Sequence, residues 1–451
     1  MKYPEDVGIK AMDIYVPGQC LDQSLFEQHQ GVSPGKYTVG LGLRYMNFCT
    51  DREDVCSLAL TAVSSLLRKF NLDPNSIGRL EVGTESAIDK AKSIKSVLTT
   101  LFEPSGNTSL EGADTIHACY GGTSALFNAV NWIESRSWDG RDAIVVMSDI
   151  ALYKEPSTRP TGGAGCVALL VGPRALLVLD PSLRGVYMSN TYDFYKPDPK
   201  VEYPIVKGHE SIVCYLSALD GCYKDLLHRT STSRERSGGA PTKVLDLFDY
   251  MAFHTPNCKL VSKSYGRVRY NDLLRTHTDA DWAQIGEELR GLNYQESLKS
   301  KALENALVSV TKEQFKQRVE PCIIAPSLCG NMYTGSLYCS LISLISNIDV
   351  AAAKDKTIGM FSYGSGAAST LFCLRVNGDL TGLVEKIDLM SRLKKRHIAS
   401  PEEYEVACAL RLAAYGKNNF KPAGDVSTLA PGTYYLHDTD DEYRRTYAIR
   451  Q

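Results

Sequence analysis

The stretch that decides the fold is DTIHACYGGTSALFNAVNWIE, residues 114–134, in which one cysteine precedes two glycines and a run of apolar residues. From residue 125 the apolar positions form two adjoining stripes at helical spacing, one of Ala125, Ala129 and Trp132 and the other of Leu126, Val130 and Ile133. A helix that is apolar on nearly all sides is buried, so the segment predicts a central helix.

Cys119 stands at the predicted N-terminus of that helix. Free backbone N–H groups and the positive end of the helix dipole favour a thiolate over a thiol there, which suits a nucleophile. The alternative is a packing cysteine, since free cysteines are often buried and the chain has 13 of them. Gly121 and Gly122 favour the nucleophile, because glycines let a substrate approach the backbone closely.

Charge and composition exclude several classes of function. The chain has 451 residues with 50 Lys+Arg and 52 Asp+Glu, so we expect neither nucleic acid nor a membrane surface as a partner. We also expect no signal or transit peptide and no membrane-spanning segment. An odd number of cysteines without a secretory signal indicates reduced thiols and a cytoplasmic protein. No C-x-x-C pair occurs and the eight histidines lack ligand spacing, so no metal site is expected.

Strand and helix patterns alternate along the first half of the chain. We predict a strand in VGIKAMDIYVP and a helix over 50–70 whose capping box is formed by Thr50 and Glu53. The strand RLEVGTES ends near an acid, Glu85, and the helix KSIKSVLTTLF follows it. Beyond the Cys119 segment come the strand DAIVVMSDI, the glycine-rich turn RPTGGAG and the strand CVALLVG. This alternation predicts an α/β fold.

The second half repeats the order of the first. LCGNMYTGSLYCSLISLIS again leads from small polar residues into an apolar helix, and the strands KTIGMFSYGSG and ASTLFCLRV follow. We therefore predict a duplication, with residues 1–172 and 173–451 as two halves of one compact unit. The polar stretch 225–245 is expected to be an exposed loop, and 388–405 a charged, solvated helix that breaks at Pro401.

Further candidates carry useful chemistry but are weak when taken singly. His254 follows an apolar strand and precedes Pro256, and its alternative is a hydrogen-bonded core imidazole. Lys259 and Lys263 lie four residues apart on the face of the next helix, as in any solvated helix. Asn331 and Ser365 occupy matching points of the repeat, where they could equally cap a helix and a turn.

Taken together, the motifs resemble the eukaryotic 3-hydroxy-3-methylglutaryl-CoA synthases from end to end. They are RLEVGTES, ACYGGTSALFNAVNWIESRSWDG, RPTGGAG, YDFYKPD, YPIVKGHESIVCYLSALD, FHTPNCKLVSKS, GNMYTGSLY, FSYGSG and RRTYA. The resemblance implies a thiolase-like duplicated fold of five αβαβα layers and a homodimer. It also implies an acyltransferase without a cofactor, which condenses acetyl-CoA with acetoacetyl-CoA for isoprenoid and sterol synthesis.

The resemblance also implies roles for individual residues. Cys119 is the acyl nucleophile, Glu85 the general acid/base, and His254 the group that holds and polarises acetoacetyl-CoA. Asn331 assists His254, and a backbone N–H at Ser365 helps that of Cys119 to bind the thioester oxygen. Residues expected to line the pocket are Tyr120, Asp149, Thr161 and Asp193, and those near the phosphates of CoA are Lys259 and Lys263.

Some residues depart from the family pattern. His117 stands two residues before the nucleophile, where eukaryotic members have Asn, and Lys154 and Glu155 replace small or neutral residues. A neutral imidazole can accept at one nitrogen and donate at the other, so we expect His117 to replace the amide. Two alternatives stay open: a paralogue that condenses another acyl pair in secondary metabolism, and an inactive CoA-binding scaffold.

Overall fold

The computed structural model describes residues 4–234, 243–276 and 279–451. Within them the strands are β1 (Gly8–Tyr15), β2 (Gln19–Asp22), β3 (Tyr45–Asn47), β4 (Ile77–Gly83), β5 (Asp114–Thr115), β6 (Asp142–Ala151), β7 (Gly163–Gly172), β8 (Leu177–Met188), β9 (Phe194–Tyr195), β10 (Ile205–Val206), β11 (Tyr250–Phe253), β12 (Thr357–Gly364), β13 (Ala368–Val376), β14 (His397–Ala399), β15 (Tyr434–Thr439) and β16 (Arg445–Ile449). The helices are α1 (Gln23–His29), α2 (Val55–Lys69), α3 (Ile94–Leu98), α4 (Gly121–Ile133), α5 (Gly208–Arg234), α6 (Cys258–Thr276), α7 (Asp279–Ile285), α8 (Tyr294–Lys299), α9 (Lys301–Val310), α10 (Lys312–Arg318), α11 (Glu320–Cys329), α12 (Ser336–Asn347), α13 (Thr381–Ile387), α14 (Leu389–Lys394) and α15 (Pro401–Ala414).

A nine-stranded mixed sheet runs through the molecule in the order β11-β12-β13-β8-β1-β7-β6-β4-β5. Strands β4, β5 and β6 pair in parallel, as do β11 and β12. The first strand of the chain, β1, lies near the middle and is antiparallel to both β7 and β8. Its contact with β8 comprises only the pairs Gly8–Val178 and Ile9–Leu177. The two sides of the sheet therefore meet at a short seam.

Alternation of side chains along the strands builds the layers. On β6, Ala143 and Val145 pack in one core with α4 and α12, whereas Ile144 and Val146 pack in another with α2. On β12, Met360 joins the α4 and α12 core, while residues 361 and 363 pack against α5 and α6. Helices α4 and α12 thus form a central layer between two sheet layers, and α2 and the pair α5 and α6 cover the outside.

The capping prediction for α2 is wrong by one turn. The capping box uses Asp54 and Ser57, each side chain bonding the other's backbone N–H at 2.9 Å. Glu53 is instead buried at 2% exposure and accepts a hydrogen bond from the Tyr15 hydroxyl at 2.5 Å. A tertiary contact across 38 residues therefore takes the acid that the local pattern assigned to the cap.

Two predicted surface segments also differ from the structure. Residues 388–405 form α14, the short strand β14 and the start of α15, with Ser400 capping α15 and Pro401 in its first turn. Proline suits that position because its missing N–H would have no partner there, so it begins a helix rather than breaking one. Residues 225–234 are helical in α5, and 235–242 of the predicted loop lie outside the described residues.

All thirteen cysteines are free thiols. In the described part of the chain no helix is long and apolar enough to span a bilayer. No group of three or more His, Cys, Asp or Glu side chains there has the arrangement of a metal site.

Candidate active site

The nucleophile candidate and the acid/base candidate meet where β4 ends and α4 begins. Gly83 ends β4, and a Cβ atom on it would come within 2.4 Å of the Gly122 backbone, so only glycine permits this contact. The close approach places Glu85 beside Cys119, whose Sγ donates a hydrogen bond to Oε1 of Glu85 at 3.6 Å. Cys119 precedes α4 by two residues, as predicted. The two candidates from separate motifs thus form one pair.

Electrostatics at this pair differ from the sequence-based expectation. Burial raises the pKa of Glu85 to about 8, the Lys196 ammonium opposes that rise, and the Asp149 charge adds to it. Burial also raises the pKa of Cys119 well above its usual range, and the neighbouring Glu85 and Asp149 carboxylates add to the effect. The prediction that the helix N-terminus favours a resting thiolate is wrong, because desolvation and nearby negative charge outweigh the dipole. Cys119 rests as a thiol beside Glu85, which is largely protonated at neutral pH and accepts a proton only in its ionised form.

Asp149 lies behind the pair as a structural anchor. Fully buried, it accepts hydrogen bonds from the backbone N–H of Glu85 at 2.9 Å and from the Ser86 hydroxyl at 2.8 Å. It also accepts from the Thr84 hydroxyl at 2.9 Å, from the Thr334 N–H at 3.1 Å and from the Thr334 hydroxyl. The side chain therefore ties the Glu85 turn to the start of the α12 region.

A cavity of about 400 Å³ opens beside the pair. Its walls include Glu85, Ala118, Phe194, Lys196 and Ser365. Sequence reasoning missed Lys196, although the motif YDFYKPD contains it. Its ammonium donates to the backbone carbonyl of Glu85 at 3.2 Å, and this contact joins residues 111 positions apart, which no local pattern shows. Lys196 thus places a positive charge beside the acid/base candidate, Glu85.

His254 lies directly after β11 and is rigidly held. Its backbone N–H donates to the Phe361 carbonyl at 2.8 Å, and its carbonyl accepts from the Tyr215 hydroxyl at 2.7 Å. The side chain of His254 is 2% exposed, and burial lowers its pKa to about 3. The imidazole is therefore neutral across the physiological range and can donate from one nitrogen.

Asn331 lies in an aromatic wall around the nucleophile. Its Oδ1 accepts from the Tyr333 N–H and the Ser336 hydroxyl at 2.9 Å each, and its Nδ2 donates to the Tyr153 hydroxyl at 3.4 Å. Tyr153 and Tyr333 pack together, with Cys119 against them. The amide is thus oriented from both ends before any substrate enters.

Asp193 holds the cavity wall that carries Phe194 and Lys196. It is 1% exposed and accepts from the Tyr363 hydroxyl at 2.9 Å and the Gly366 N–H at 3.2 Å. These bonds fix the wall to the turn that contains Ser365. Asp193 therefore acts on the cavity through its neighbours.

The other pocket candidates are engaged elsewhere. The Tyr120 hydroxyl shares a hydrogen bond of 2.7 Å with the Thr370 hydroxyl, and the Thr161 hydroxyl donates to the Thr158 carbonyl at 2.7 Å.

The two candidate phosphate ligands on α6 differ in their surroundings. Lys263 forms an ion pair of 3.1 Å with Glu304, whereas Lys259 is exposed. Only Lys259 of the two presents a readily available charge to a ligand.

His117 is a partly buried, neutral imidazole beside the nucleophile. Burial lowers its pKa, and its ring meets Tyr120 edge to face at 6.0 Å. Its Nε2 atom is buried and has no hydrogen-bond partner among residues 4–234, 243–276 and 279–451. The replacement of the amide by His117 therefore stays a prediction. Lys154 and Glu155 are both exposed.

The duplicated five-layer fold and a cysteine paired with a carboxylate define a thiolase-like acyltransferase. Residues 3–176 match the family model "Hydroxymethylglutaryl-coenzyme A synthase N terminal", and residues 177–450 match the corresponding C-terminal model. The chain belongs to the hydroxymethylglutaryl-CoA synthase family, which confirms the resemblance seen in the sequence.

Individual relatives cover the whole chain. A hydroxymethylglutaryl coenzyme A synthase from Fusarium sp is 76% identical over 454 residues, covering 100% of both chains. The hydroxymethylglutaryl-CoA synthase of Saccharomyces cerevisiae is 48% identical over 99% of this chain and 91% of its own. The structure of MvaS in complex with 3-hydroxy-3-methylglutaryl coenzyme A has a TM-score of 0.85 at 34% identity, covering 100% of both chains. The thiolase-like fold class is thereby confirmed.

Proposed function

We propose that this protein condenses acetyl-CoA with acetoacetyl-CoA and water to give 3-hydroxy-3-methylglutaryl-CoA and CoA. The observation that carries the proposal is the Cys119 thiol bonded to Glu85 at 3.6 Å beside a cavity, in a chain of this family. The product would serve isoprenoid and sterol synthesis.

The first step loads the acetyl group. Glu85 takes the proton of Cys119, the sulfur attacks the thioester carbonyl of acetyl-CoA, and the CoA sulfur leaves with the proton returned by Glu85. One thioester replaces another of similar energy, so no external energy source is needed. The backbone N–H groups of Cys119 and Ser365 stabilise the negative oxygen during the transfer.

The second step forms the carbon–carbon bond. Glu85, again a carboxylate, removes a proton from the acetyl methyl group, and the enolate carbon attacks the ketone of acetoacetyl-CoA. The ketone oxygen becomes an alkoxide, to which neutral His254 donates, assisted by the Asn331 amide. The alkoxide takes up the proton that Glu85 holds.

The last step releases the product. Water attacks the thioester that links the condensed product to Cys119, the C–S bond breaks, and the sulfur regains a proton. A free carboxylate remains where the acetyl thioester was. Lys259 meets the phosphates of a CoA substrate through its exposed charge.

The proposal also covers the oligomeric state of the protein, its location in the cell and the division of the chain into two halves. A homodimer is supported by β5, which lies at the outer end of the sheet, and by the adjoining Ile116, which is 69% exposed. A cytosolic location is supported by the thirteen free thiols. Division at residue 172 is supported by the recurring order of a central helix and two strands in α4, β6, β7 and in α12, β12, β13.

Acetyl-CoA alone tests the nucleophile. We expect one acetyl group on Cys119 by intact-protein mass and peptide mapping, no label in Cys119→Ala, and normal labelling in Cys214→Ala, a partly buried cysteine elsewhere. An adduct on another cysteine contradicts the assignment.

Release of free CoA with both substrates tests the reaction itself. An inactive scaffold releases none. A paralogue that prefers another acyl pair releases at most one CoA per active site, from acetylation, and turns over repeatedly only with its own pair. Either result contradicts the proposed reaction.

A further inference from the structure

A second, larger recess lies in a different part of the molecule and shares no lining residue with the cavity beside Cys119. It has a volume of about 800 Å³ and lies between the C-terminal end of α2, the α13 and α14 segment, and the β15–β16 hairpin. The cationic side chains that line it are Arg68, Lys69, Lys386, Arg392, Lys395 and Arg396, against one lining carboxylate, Asp388.

One buried carboxylate holds two of these cations in place. Asp13 is 0% exposed and accepts from Lys69 at 3.0 Å and from Arg392 at 2.9 Å. The two cations share this single negative charge. Burial lowers the pKa of Lys69, Asp13 opposes this effect, and the adjacent Arg392 and Arg68 charges add to it. Positive charge is therefore concentrated here beyond what Asp13 neutralises.

Two more of the cations have no ion-pair partner among the residues that the structure describes. Arg68 and Lys395 are exposed, and neither has a carboxylate within ion-pair distance in the described ranges 4–234, 243–276 and 279–451. The protein as a whole has a formal charge of −2, so the positive charge of this recess does not follow from the net charge of the chain. Such a concentration of like charge attracts anions and is relieved when one binds.

The shape of the recess favours a small ligand over a flat macromolecular surface. Its volume falls in the range of about 300–1,000 Å³ typical of small-molecule sites. The hydroxyls of Thr61, Ser64 and Ser65 add donors, and Pro431 and Ile449 add an apolar wall. Several guanidinium and ammonium groups in one recess match an anion that carries several charges on adjacent groups.

We propose that this recess binds a di- or triphosphate ester of a small organic molecule, separately from the substrate site. The phosphates contact Arg68, Lys395 and the cations held by Asp13. The organic part lies against the apolar wall.

Calorimetric titration with inorganic triphosphate tests the proposal. The whole protein is titrated without divalent cations or CoA, and it carries Lys259→Glu so that the candidate phosphate contact of the substrate site is removed while the recess stays free. We expect a single site that Arg68→Glu/Lys395→Glu weakens by roughly tenfold or more. The matched control, Arg136→Glu/Lys299→Glu, reverses two exposed charges outside the recess and is expected to stay within about twofold.

Circular dichroism checks the fold of each variant. If the charge reversal prevents folding, Arg68→Gln/Lys395→Gln replaces it, with the same direction of effect.

The proposal is overturned if no binding is seen up to about 5 mM triphosphate. It is also overturned if the control variant weakens triphosphate binding as much as the recess variant does. Tighter binding of a DNA duplex or a phosphatidylserine vesicle at the same residues overturns the assignment to a small phosphate ester. Titration with ADP then measures how much the organic part of a diphosphate ester adds to the affinity.

Discussion

Replacing Glu85 by glutamine separates the two chemical steps. Glutamine keeps the size of the side chain beside Cys119 but takes no proton from the acetyl methyl group. Loss of a general base slows a step by about 10²–10⁴-fold, which is about 3–5 kcal/mol of activation free energy at 1.36 kcal/mol per tenfold. We expect condensation in Glu85→Gln to fall by this amount.

Acetylation of Cys119 in the same variant is expected to survive. The Glu85 charge is one reason that the pKa of the Cys119 thiol is raised. Removing that charge makes the thiolate easier to form, which offsets the loss of the proton acceptor. We therefore expect the acetylation rate to stay within roughly tenfold of the wild-type rate.

The raised pKa adds a pH signature to this test. With a pKa of about 8, only roughly one tenth of Glu85 is ionised at pH 7. Condensation by the wild-type protein should thus rise roughly tenfold between pH 7 and 9, and Glu85→Gln should lack that rise.

The raised pKa of Glu85 also affects stability. Because folding raises this pKa, ionisation of Glu85 opposes folding. Glu85→Gln should therefore gain thermal stability relative to wild type as pH rises from about 5 to 9.

Rapid quenching measures both steps on one protein. Intact mass after mixing with acetyl-CoA gives the acetylation rate, and formation of 3-hydroxy-3-methylglutaryl-CoA after adding acetoacetyl-CoA gives the condensation rate. Glu81→Gln, at a buried carboxylate on the same strand that does not line the cavity, is the control and should keep the wild-type pH profile. Condensation within tenfold of wild type, or an unchanged pH profile in Glu85→Gln, would refute this role of Glu85.

Three further variants test the remaining assignments. His254→Ala should impair use of acetoacetyl-CoA by about 10²-fold or more but leave Cys119 acetylation intact, as kinetics and intact mass will show; loss of acetylation instead would make His254 the base for the thiol. His117→Asn should keep the acetylation rate within roughly tenfold with an unchanged pH profile, and a larger fall would show that the imidazole takes part. Asp149→Ala should lower the free energy of unfolding by about 3 kcal/mol or more, measured by urea titration, because it leaves several buried donors unpaired; a change below about 1 kcal/mol would contradict its anchoring role.

Local patterns predicted the elements that carry the site. The apolar stripes of α4, the alternation of β6 and the position of His254 after β11 depend on neighbours a few residues apart, so they are visible in sequence. The resemblance then placed Cys119 and Glu85 in one site, and the structure brings them to 3.6 Å.

Features that depend on distant neighbours could not be predicted. The α2 cap moved because Glu53 bonds Tyr15, and Lys196 reaches Glu85 only through the fold. The state of the Cys119 thiol depends on desolvation and on carboxylates from other strands, which outweigh the helix dipole that the sequence shows.

The place of β1 in the sheet has a consequence for synthesis on the ribosome. Residues 8–15 are made first, yet both neighbouring strands, β7 and β8, begin only at residues 163 and 177. At about 5–20 residues per second the nascent strand waits on the order of ten to thirty seconds with both edges unpaired. An apolar strand exposed for that time is a substrate for chaperones and a site for misassembly between neighbouring nascent chains.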